Sequence, residues 1–225
     1  MNHKNRTEEI RLYVKNKLSI ADTISDYNIK FLIVFSLLES FAQEWKNYPK
    51  YGTSEAFCEF VMTFQRNYGY LDKVDPVTLY YDFEKELNPH FSLDYLSDGC
   101  CYYASSLVNE VKSEKIIGFL ISNSITNQKR IEQHKYVKLL YKMRSKISHE
   151  HCHYLWSIVS STWEECEPCF ISCGNDWELG FPYPFIRNLA EECIDGFLKS
   201  REVEGLDPFK NNTDNRKFRL AWVDE

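Results

Sequence analysis

Arg144 and His149 are the two residues of this chain whose types and spacing are best suited to chemistry. They lie five positions apart at the end of a lysine-rich segment with helical spacing. An imidazole exchanges a proton near neutral pH, and a guanidinium binds two phosphate oxygens in a fixed geometry. Because RNA brings its own 2′-hydroxyl nucleophile, these two groups are sufficient in kind to cleave it without a metal.

The segment from Gln128 to Ser148 has to position this pair. Plotted at about 100° per residue, its apolar side chains fall in one sector, and its lysines lie roughly opposite. On a regular helix Arg144 flanks the apolar sector, whereas His149 joins the lysines, ~140° away from Arg144. The two groups meet if the helix ends or distorts at Ser148, or if a second copy of the chain supplies the partner. The apolar positions are Tyr136, Leu139, Leu140, Met143 and Ile147, and the lysines are Lys135, Lys138, Lys142 and Lys146.

Composition predicts a globular and mainly helical protein. The chain has 225 residues, of which 44% are hydrophobic and 27% charged, and this argues against disorder. With 8 Gly and 7 Pro it has few forced turns, which favours helices over a strand-rich sandwich or barrel. The net charge is −6, but residues 128–150 carry +5, so the remainder carries −11. This separation suits a local anion site, although a solvated helix face explains it equally well.

The sequence also predicts a cytoplasmic protein with no membrane partner. Met1 to Glu9 is polar and charged, without the apolar run of a signal peptide. The longest mainly apolar stretch, Phe31 to Leu38, is too short to span a bilayer. Eight Cys in a chain of this length are not disulfide-dense, so we expect reduced thiols.

Apolar spacing predicts an all-α fold with a small β-hairpin near residues 166–181. Residues 67–99 fit short helices joined by loops, as an irregular insertion. We expect a single helical domain over residues 1–204 and a polar tail over residues 205–225. A helix is predicted over residues 10–18, followed by a turn around Ser25-Asp26. A stronger helix is predicted over residues 29–48, with an apolar stripe formed by Phe31, Phe35, Leu38, Ala42 and Trp45. Further helices are predicted from residue 54 onward, over residues 100–123 with a break or bend near Gly118, over residues 128–148 and over residues 184–199.

Arg144-x4-His149 on a late helix of an all-helical chain resembles the motif of the HEPN superfamily (higher eukaryotes and prokaryotes nucleotide-binding domain). The resemblance extends from about Asn28 to Leu198 and includes an early apolar helix with an embedded acid, Glu39. Many family members have Asn, Asp or His directly after the arginine, whereas this chain has Ser145. The resemblance implies a helical bundle of the HEPN type.

The resemblance also implies a metal-independent endoribonuclease that needs no cofactor. His149 would act as general base or acid, Arg144 would hold the scissile phosphate, and Glu39 would brace Arg144. Two protomers would pair as a homodimer with both motifs facing one cleft. In microbes such proteins often serve as toxins or antiviral effectors that an inhibitory protein partner restrains. Beside the motif, we expect the RNA-binding residues to be Lys142, Ser145 and Lys146.

Two other interpretations stay open. One is a non-catalytic helical module of the same fold that binds a nucleotide, RNA or a protein through its basic helix. The other is a helical interaction protein with a structural zinc, because zinc accepts the side chains in its cysteine cluster. The irregular spacing of that cluster favours buried reduced thiols instead. Its members are Cys166, Cys169 and Cys173, with His151 and His153 upstream.

Overall fold

The computed structural model describes residues 3–46, 53–93, 96, 101–110, 113–150, 167–173 and 176–208, and this part is mostly helical. Its helices are α1 (His3–Thr23), α2 (Tyr27–Lys46), α3 (Thr53–Phe64), α4 (Pro76–Asp82), α5 (Glu84–Leu87), α6 (Ala104–Glu110), α7 (Ser113–Ser122), α8 (Gln128–Ile131), α9 (Tyr136–Glu150) and α10 (Tyr183–Glu204). Strands β1 (Cys101–Tyr103), β2 (Cys169–Cys173) and β3 (Asp176–Gly180) form an antiparallel sheet in the order β1-β2-β3. The predicted all-α fold with a small hairpin is therefore confirmed. No helix within these ranges has the length and apolarity to cross a bilayer.

Helices α1, α2, α3, α9 and α10 pack around one apolar core. Helix α2 lies at its centre and contacts each of the other four helices. Phe31, Phe35, Leu38 and Ala42 of its apolar stripe are buried, as predicted. Aromatic rings join the helices: Phe41 and Phe60 each meet Phe197 of α10 with ring centroids 5.9 Å apart.

Local signals fix the ends of the bundle helices. The Asp26 carboxylate accepts the backbone N–H of Ile29 at 3.2 Å, which caps α2 and confirms the turn expected there. At the end of α10, Gly205 adopts the left-handed conformation at φ 68°, which only glycine enters without strain. Beyond this cap Asp207 is still buried, and it pairs with Arg6 at 2.9 Å. Residues 205–208 thus belong to the packed structure, and residues 209–225 lie outside the described part.

A second apolar cluster lies under α4, α7 and α8. Helix α4 begins at a strong sequence signal, because the Asp75 carboxylate accepts the N–H of Thr78 at 2.7 Å and Pro76 follows at the first helical position. Short helices separated by loops therefore form in the segment where they were expected. The cluster contains Leu79, Tyr80, Phe83, Leu87, Ile116, Leu120 and Ile131.

The single helix predicted over residues 128–148 is wrong in its first third. Helix α8 ends early, a short 3₁₀ turn follows, and Lys135 is extended at ψ 138° before α9 begins. The cause is tertiary, since Lys135 pairs with Val74 in an isolated antiparallel bridge. The N–H of Tyr136 donates to the carbonyl oxygen of Lys73 at 3.1 Å. These bonds to a distant segment replace the helical ones, so apolar spacing alone did not reveal the break.

The helix predicted over residues 100–123 is also wrong at its start. Its first residues form strand β1, in which Tyr102 pairs with Phe170 of β2. Gly118 lies inside the continuous helix α7, where no break occurs. The strand is three residues long, too short for a recognisable alternation, and its pairing with β2 determines its conformation.

Candidate functional site

Helix α9 carries the predicted motif, and side chains of α3 hold it in place. The rings of Phe57 and Tyr141 lie 5.3 Å apart, and the Tyr141 hydroxyl shares a hydrogen bond of 2.9 Å with the hydroxyl of Thr53. One turn earlier, the Cys58 thiol donates to the carbonyl oxygen of Val137 at 3.7 Å. These contacts fix the rotation of α9 about its own axis and therefore determine which of its residues face α2.

Arg144 faces α2 and forms an ion pair with Glu39. The two side chains are only 21% and 11% exposed, so the pair lies largely out of solvent at the edge of the core. The guanidinium also lies over the ring of Tyr141, 5.9 Å from its centroid. Neither charge is well solvated without the other, which makes the pair a fixed feature of the fold. The expected contact between Glu39 and Arg144 is present, and their catalytic role stays a prediction.

His149 occupies the last turn of α9, and only its backbone belongs to the described part of the structure. Helix α9 continues to Glu150, so the described backbone neither ends nor distorts at Ser148. The backbone position of His149 is therefore turned ~140° from that of Arg144 about the helix axis. Of the two ways in which Arg144 and His149 were expected to meet, distortion of the helix does not occur. Pairing through a second copy of the chain stays a prediction.

The three predicted RNA-binding residues all belong to α9. Lys142 and Lys146 are exposed, and Ser145 is half-buried. The Lys142 ammonium donates to the carbonyl oxygen of Gln133 at 3.2 Å, beside the turn that precedes α9. Basic side chains thus follow one face of α9 up to the turn that contains His149, and their binding to RNA stays a prediction.

A second group of polar side chains lies around Asp82, at the end of α4. Nε and Nη2 of Arg130 both donate to the Asp82 carboxylate at 3.1 Å. Nε2 of His134 lies 3.1 Å from the same carboxylate, and Nδ1 lies 3.2 Å from the hydroxyl of Thr78. We call Asp82, Arg130, His134 and Lys142 the Asp82 cluster. The sequence pattern had not indicated it.

Burial and hydrogen bonding bias the protonation states of this cluster. Burial lowers the pKa of His134 and outweighs the opposing effect of Asp82, so the ring is neutral at pH 7. Burial alone would raise the pKa of Asp82, but the hydrogen bonds from Arg130 and His134 hold it below its ordinary value. Although Lys142 is exposed as a whole residue, desolvation of its ammonium lowers its pKa. Near neutral pH one carboxylate therefore faces two cations and a neutral imidazole.

A buried hydrogen bond joins α4 to the first turn of α9. Asp75 is fully buried, and its carboxylate accepts the hydroxyl of Tyr136 at 2.7 Å. Burial raises the pKa of Asp75 to about 6, although the bonds from Thr78 and Tyr136 oppose this shift. The Asp75-Pro76 pair in the sequence is a helix-start signal that identifies Asp75. No comparable signal identifies Tyr136 as its partner.

A groove of about 540 Å³ lies between α1 and α10, and its lining residues are far from Arg144 and His149 in the sequence. Val14, Ile194 and Leu198 form part of its lining, which also contains Arg11 and Asp195. Arg11 is already bound there, because it donates to both carboxylate oxygens of Glu202 at 2.9 Å. None of the residues predicted to act on RNA lines this groove.

The zinc hypothesis depends on side chains outside the described residues, namely those of His151, His153, Cys166 and Cys173. Cys169, the remaining member of the cluster, is buried in β2. Among the residues that the structure describes, no three His, Cys, Asp or Glu side chains come together as metal ligands. Zinc binding by this segment stays a prediction.

The chain matches no protein-family model, and neither curated proteins nor solved structures give a significant match. The resemblance to the HEPN superfamily therefore rests on the Arg144–His149 spacing, the position of Glu39 and the helical fold. Membership of that superfamily stays a prediction.

Proposed function

We propose that this protein is a metal-independent endoribonuclease of the HEPN type, which cleaves RNA through the 2′-hydroxyl. The supporting observation is the largely buried ion pair between Glu39 and Arg144, on the helix that also carries His149. Glu39 contacts Arg144 through Nη2, and a guanidinium has five N–H donors, so others remain for a phosphate. A cation held in advance by its surroundings stabilises developing negative charge without reorganisation.

The proposed reaction needs a base, an acid and a phosphate-binding group. His149 removes the proton of a 2′-hydroxyl, whose oxygen attacks the adjacent phosphorus. The bond from phosphorus to the 5′-oxygen breaks, and that oxygen takes a proton from an imidazolium or from water. The products are a 2′,3′-cyclic phosphate and a strand with a free 5′-hydroxyl. Arg144 binds the non-bridging oxygens, on which charge increases in the transition state.

The proposed reaction also needs two copies of the chain, because Arg144 and His149 occupy different faces of α9. In a two-fold dimer, Arg144 of one protomer would act with the partner's His149. Such a pairing is isologous and creates two equivalent sites. The homodimer is therefore part of the catalytic proposal.

Cleavage of an RNA oligonucleotide in EDTA tests the proposal. We expect the wild type to produce cyclic-phosphate ends, and Arg144→Ala or His149→Ala to slow cleavage by about 10²-fold or more. The matched controls Arg66→Ala and His90→Ala change exposed residues outside the site and should leave the rate unchanged. A double variant Arg144→Ala/His149→Ala that cleaves at the wild-type rate would disprove the assignment.

A role as a toxin or antiviral effector in the cytoplasm, restrained by an inhibitory protein, follows from the resemblance alone. The expected consequence is that expression of the wild-type protein without its inhibitor arrests growth. His149→Ala should abolish the arrest at equal protein levels. Equal arrest by both forms would separate any toxicity from the proposed nuclease.

A non-catalytic module that binds RNA through the basic face of α9 is the second candidate. The separation of Arg144 and His149 on α9 favours it, since no single protomer brings them to one face. The presence of Ser145 directly after Arg144 also departs from many HEPN sequences. Intact RNA after incubation in EDTA, together with measurable binding of the same RNA, would support this second function.

A further inference from the structure

Two cations of the Asp82 cluster are held in fixed positions. The Arg130 guanidinium stacks on the ring of Phe83, 4.4 Å from its centroid, while Asp82 holds Nε and Nη2. The Lys142 ammonium is held by its hydrogen bond to the Gln133 carbonyl oxygen. Side chains that are already ordered lose little conformational freedom when they bind a ligand. The cluster is therefore prepared to bind an anion, unlike a set of mobile surface lysines.

Both cations also keep hydrogen-bond donors for a ligand. Within the described ranges, Nη1 of Arg130 has no acceptor, and the Lys142 ammonium donates one hydrogen bond of its three. The side chain of Arg130 is 54% exposed, so an anion from solvent can reach its unused edge. These donors are of the type that binds phosphate oxygens.

The surroundings of the cluster carry net positive charge near neutral pH. Two cations oppose the Asp82 carboxylate: Arg130 donates two hydrogen bonds to it, and Lys142 interacts with it electrostatically. The neutral His134 adds hydrogen bonds but no charge. Lys135 adds little, because Asp72 binds it at 2.8 Å. Two cations against one carboxylate attract a phosphate.

We propose that the Asp82 cluster is a subsite for the RNA backbone, in which Arg130 and Lys142 bind a phosphodiester other than the scissile one. This inference rests on the proposed function and extends it to the path of the substrate. Lys142 and His149 are seven residues apart on α9, which places them on one face and ~10.5 Å apart along the axis. Lys146 lies between these two positions, so one strand can follow this face of α9. Asp82 is a positioning residue that holds Arg130.

Binding of a strand that cannot be cleaved tests the subsite. The full chain is titrated at several salt concentrations with single-stranded RNA whose 2′-hydroxyls are all methylated. Each phosphate contact contributes about 0.7 to the slope of log K against log salt. We expect Arg130→Gln and Lys142→Gln each to reduce the slope by about 0.7, and the matched exposed control Arg66→Gln to leave it unchanged.

Asp82→Asn separates phosphate binding from a purely structural role. If the cluster only fastens α8 to α4, Asp82→Asn and Arg130→Gln both loosen it and both weaken binding. If the cluster binds phosphate, Asp82→Asn keeps one oxygen that accepts a hydrogen bond from Arg130 and removes the repulsive charge. Binding should then tighten several-fold, while Arg130→Gln weakens it. Thermal unfolding of each variant shows that the fold is retained.

The subsite is overturned if Arg130→Gln has the slope of Arg66→Gln, if Asp82→Asn weakens binding as Arg130→Gln does, or if the wild type does not bind the methylated strand. Cleavage of unmodified RNA is scored separately. If Arg130→Gln reduces the salt slope but the wild type does not cleave RNA, the subsite is supported and the nuclease assignment is contradicted. If the wild type cleaves RNA but Arg130→Gln leaves the salt slope unchanged, the nuclease assignment is supported and the subsite is contradicted.

Discussion

The two flanks of α9 hold their cations in opposite ways. On the flank that faces α2, Arg144 and Glu39 lie largely out of solvent as a pair. On the other flank, Lys142 and Arg130 gather around Asp82, whose side chain is 36% exposed. A buried pair is costly to break, whereas an exposed one adds little stability and leaves donors for a ligand. The first flank therefore fixes a cation within the fold, and the second presents cations to solvent.

Removal of the two carboxylates should give the largest contrast. Glu39→Ala leaves the guanidinium of Arg144 in poorly solvating surroundings and should lower the free energy of unfolding by about 2–4 kcal/mol. Asp82→Ala acts on exposed charges and should lower it by about 1 kcal/mol or less. Urea unfolding of both variants measures the difference. Equal losses would show that the two flanks are not distinct.

Tyr136→Phe tests the buried link between α4 and α9. It takes one donor from the buried Asp75 carboxylate and should lower the free energy of unfolding by about 1–3 kcal/mol. Because the pKa of Asp75 is about 6, the missing donor matters most where the carboxylate is charged. The loss should therefore increase as pH rises through 6, in urea unfolding at pH 5 and pH 7. A loss that is equal at both values would contradict this assignment of charge.

High salt should weaken the interactions around Asp82 and leave the pair of Glu39 and Arg144 largely unchanged. In 1 M NaCl the screening length is about 3 Å, so interactions between exposed charges largely disappear. The electrostatic part of the Asp82→Ala effect, of order 0.5 kcal/mol, should vanish there, while the effect of Glu39→Ala persists. Unfolding at low and high salt tests this, and strong screening of the Glu39→Ala effect would show that its pair is solvated.

His134→Gln should have the smallest effect on the free energy of unfolding, and this effect should depend on pH. Since burial lowers the pKa of His134 in the folded state, its contribution to stability is present above the ordinary value of 6.5 and is lost as pH falls through that value. The wild type should therefore lose more stability than His134→Gln between pH 7 and pH 5. Melting temperatures across this range measure the difference. A variant that is more acid-sensitive than the wild type would reverse the sign.

Elements with a long apolar stripe could be predicted from the sequence, and elements formed by distant pairing could not. The stripe of α2, from Phe31 to Ala42, is visible at helical spacing and is buried as expected. Strand β1 and the extended Lys135 are set by partners far along the chain, Phe170 and Val74. Long-range backbone pairing overrides local preference at both places, and a single sequence does not contain the register of such pairs.

In the candidate site, too, one contact was expected from the sequence and one cluster was not. The contact of Glu39 with Arg144 was expected as an implication of the HEPN resemblance, and the ion pair is present. The Asp82 cluster could not be anticipated, since Arg130 and His134 lie 48 and 52 positions from Asp82 and share no motif with it. Folding brings these three together through the turn that interrupts the helix predicted over residues 128–148.

The most direct test of the proposed composite site is to mix two inactive variants. Arg144→Ala and His149→Ala proteins are each purified, mixed, exchanged between dimers and assayed for RNA cleavage in EDTA. If each site takes its arginine and histidine from different protomers, half of the dimers regain one of two sites, and about a quarter of wild-type activity returns. If the mixture does not cleave RNA, although the wild type does and heterodimers form, a site shared between two copies is contradicted.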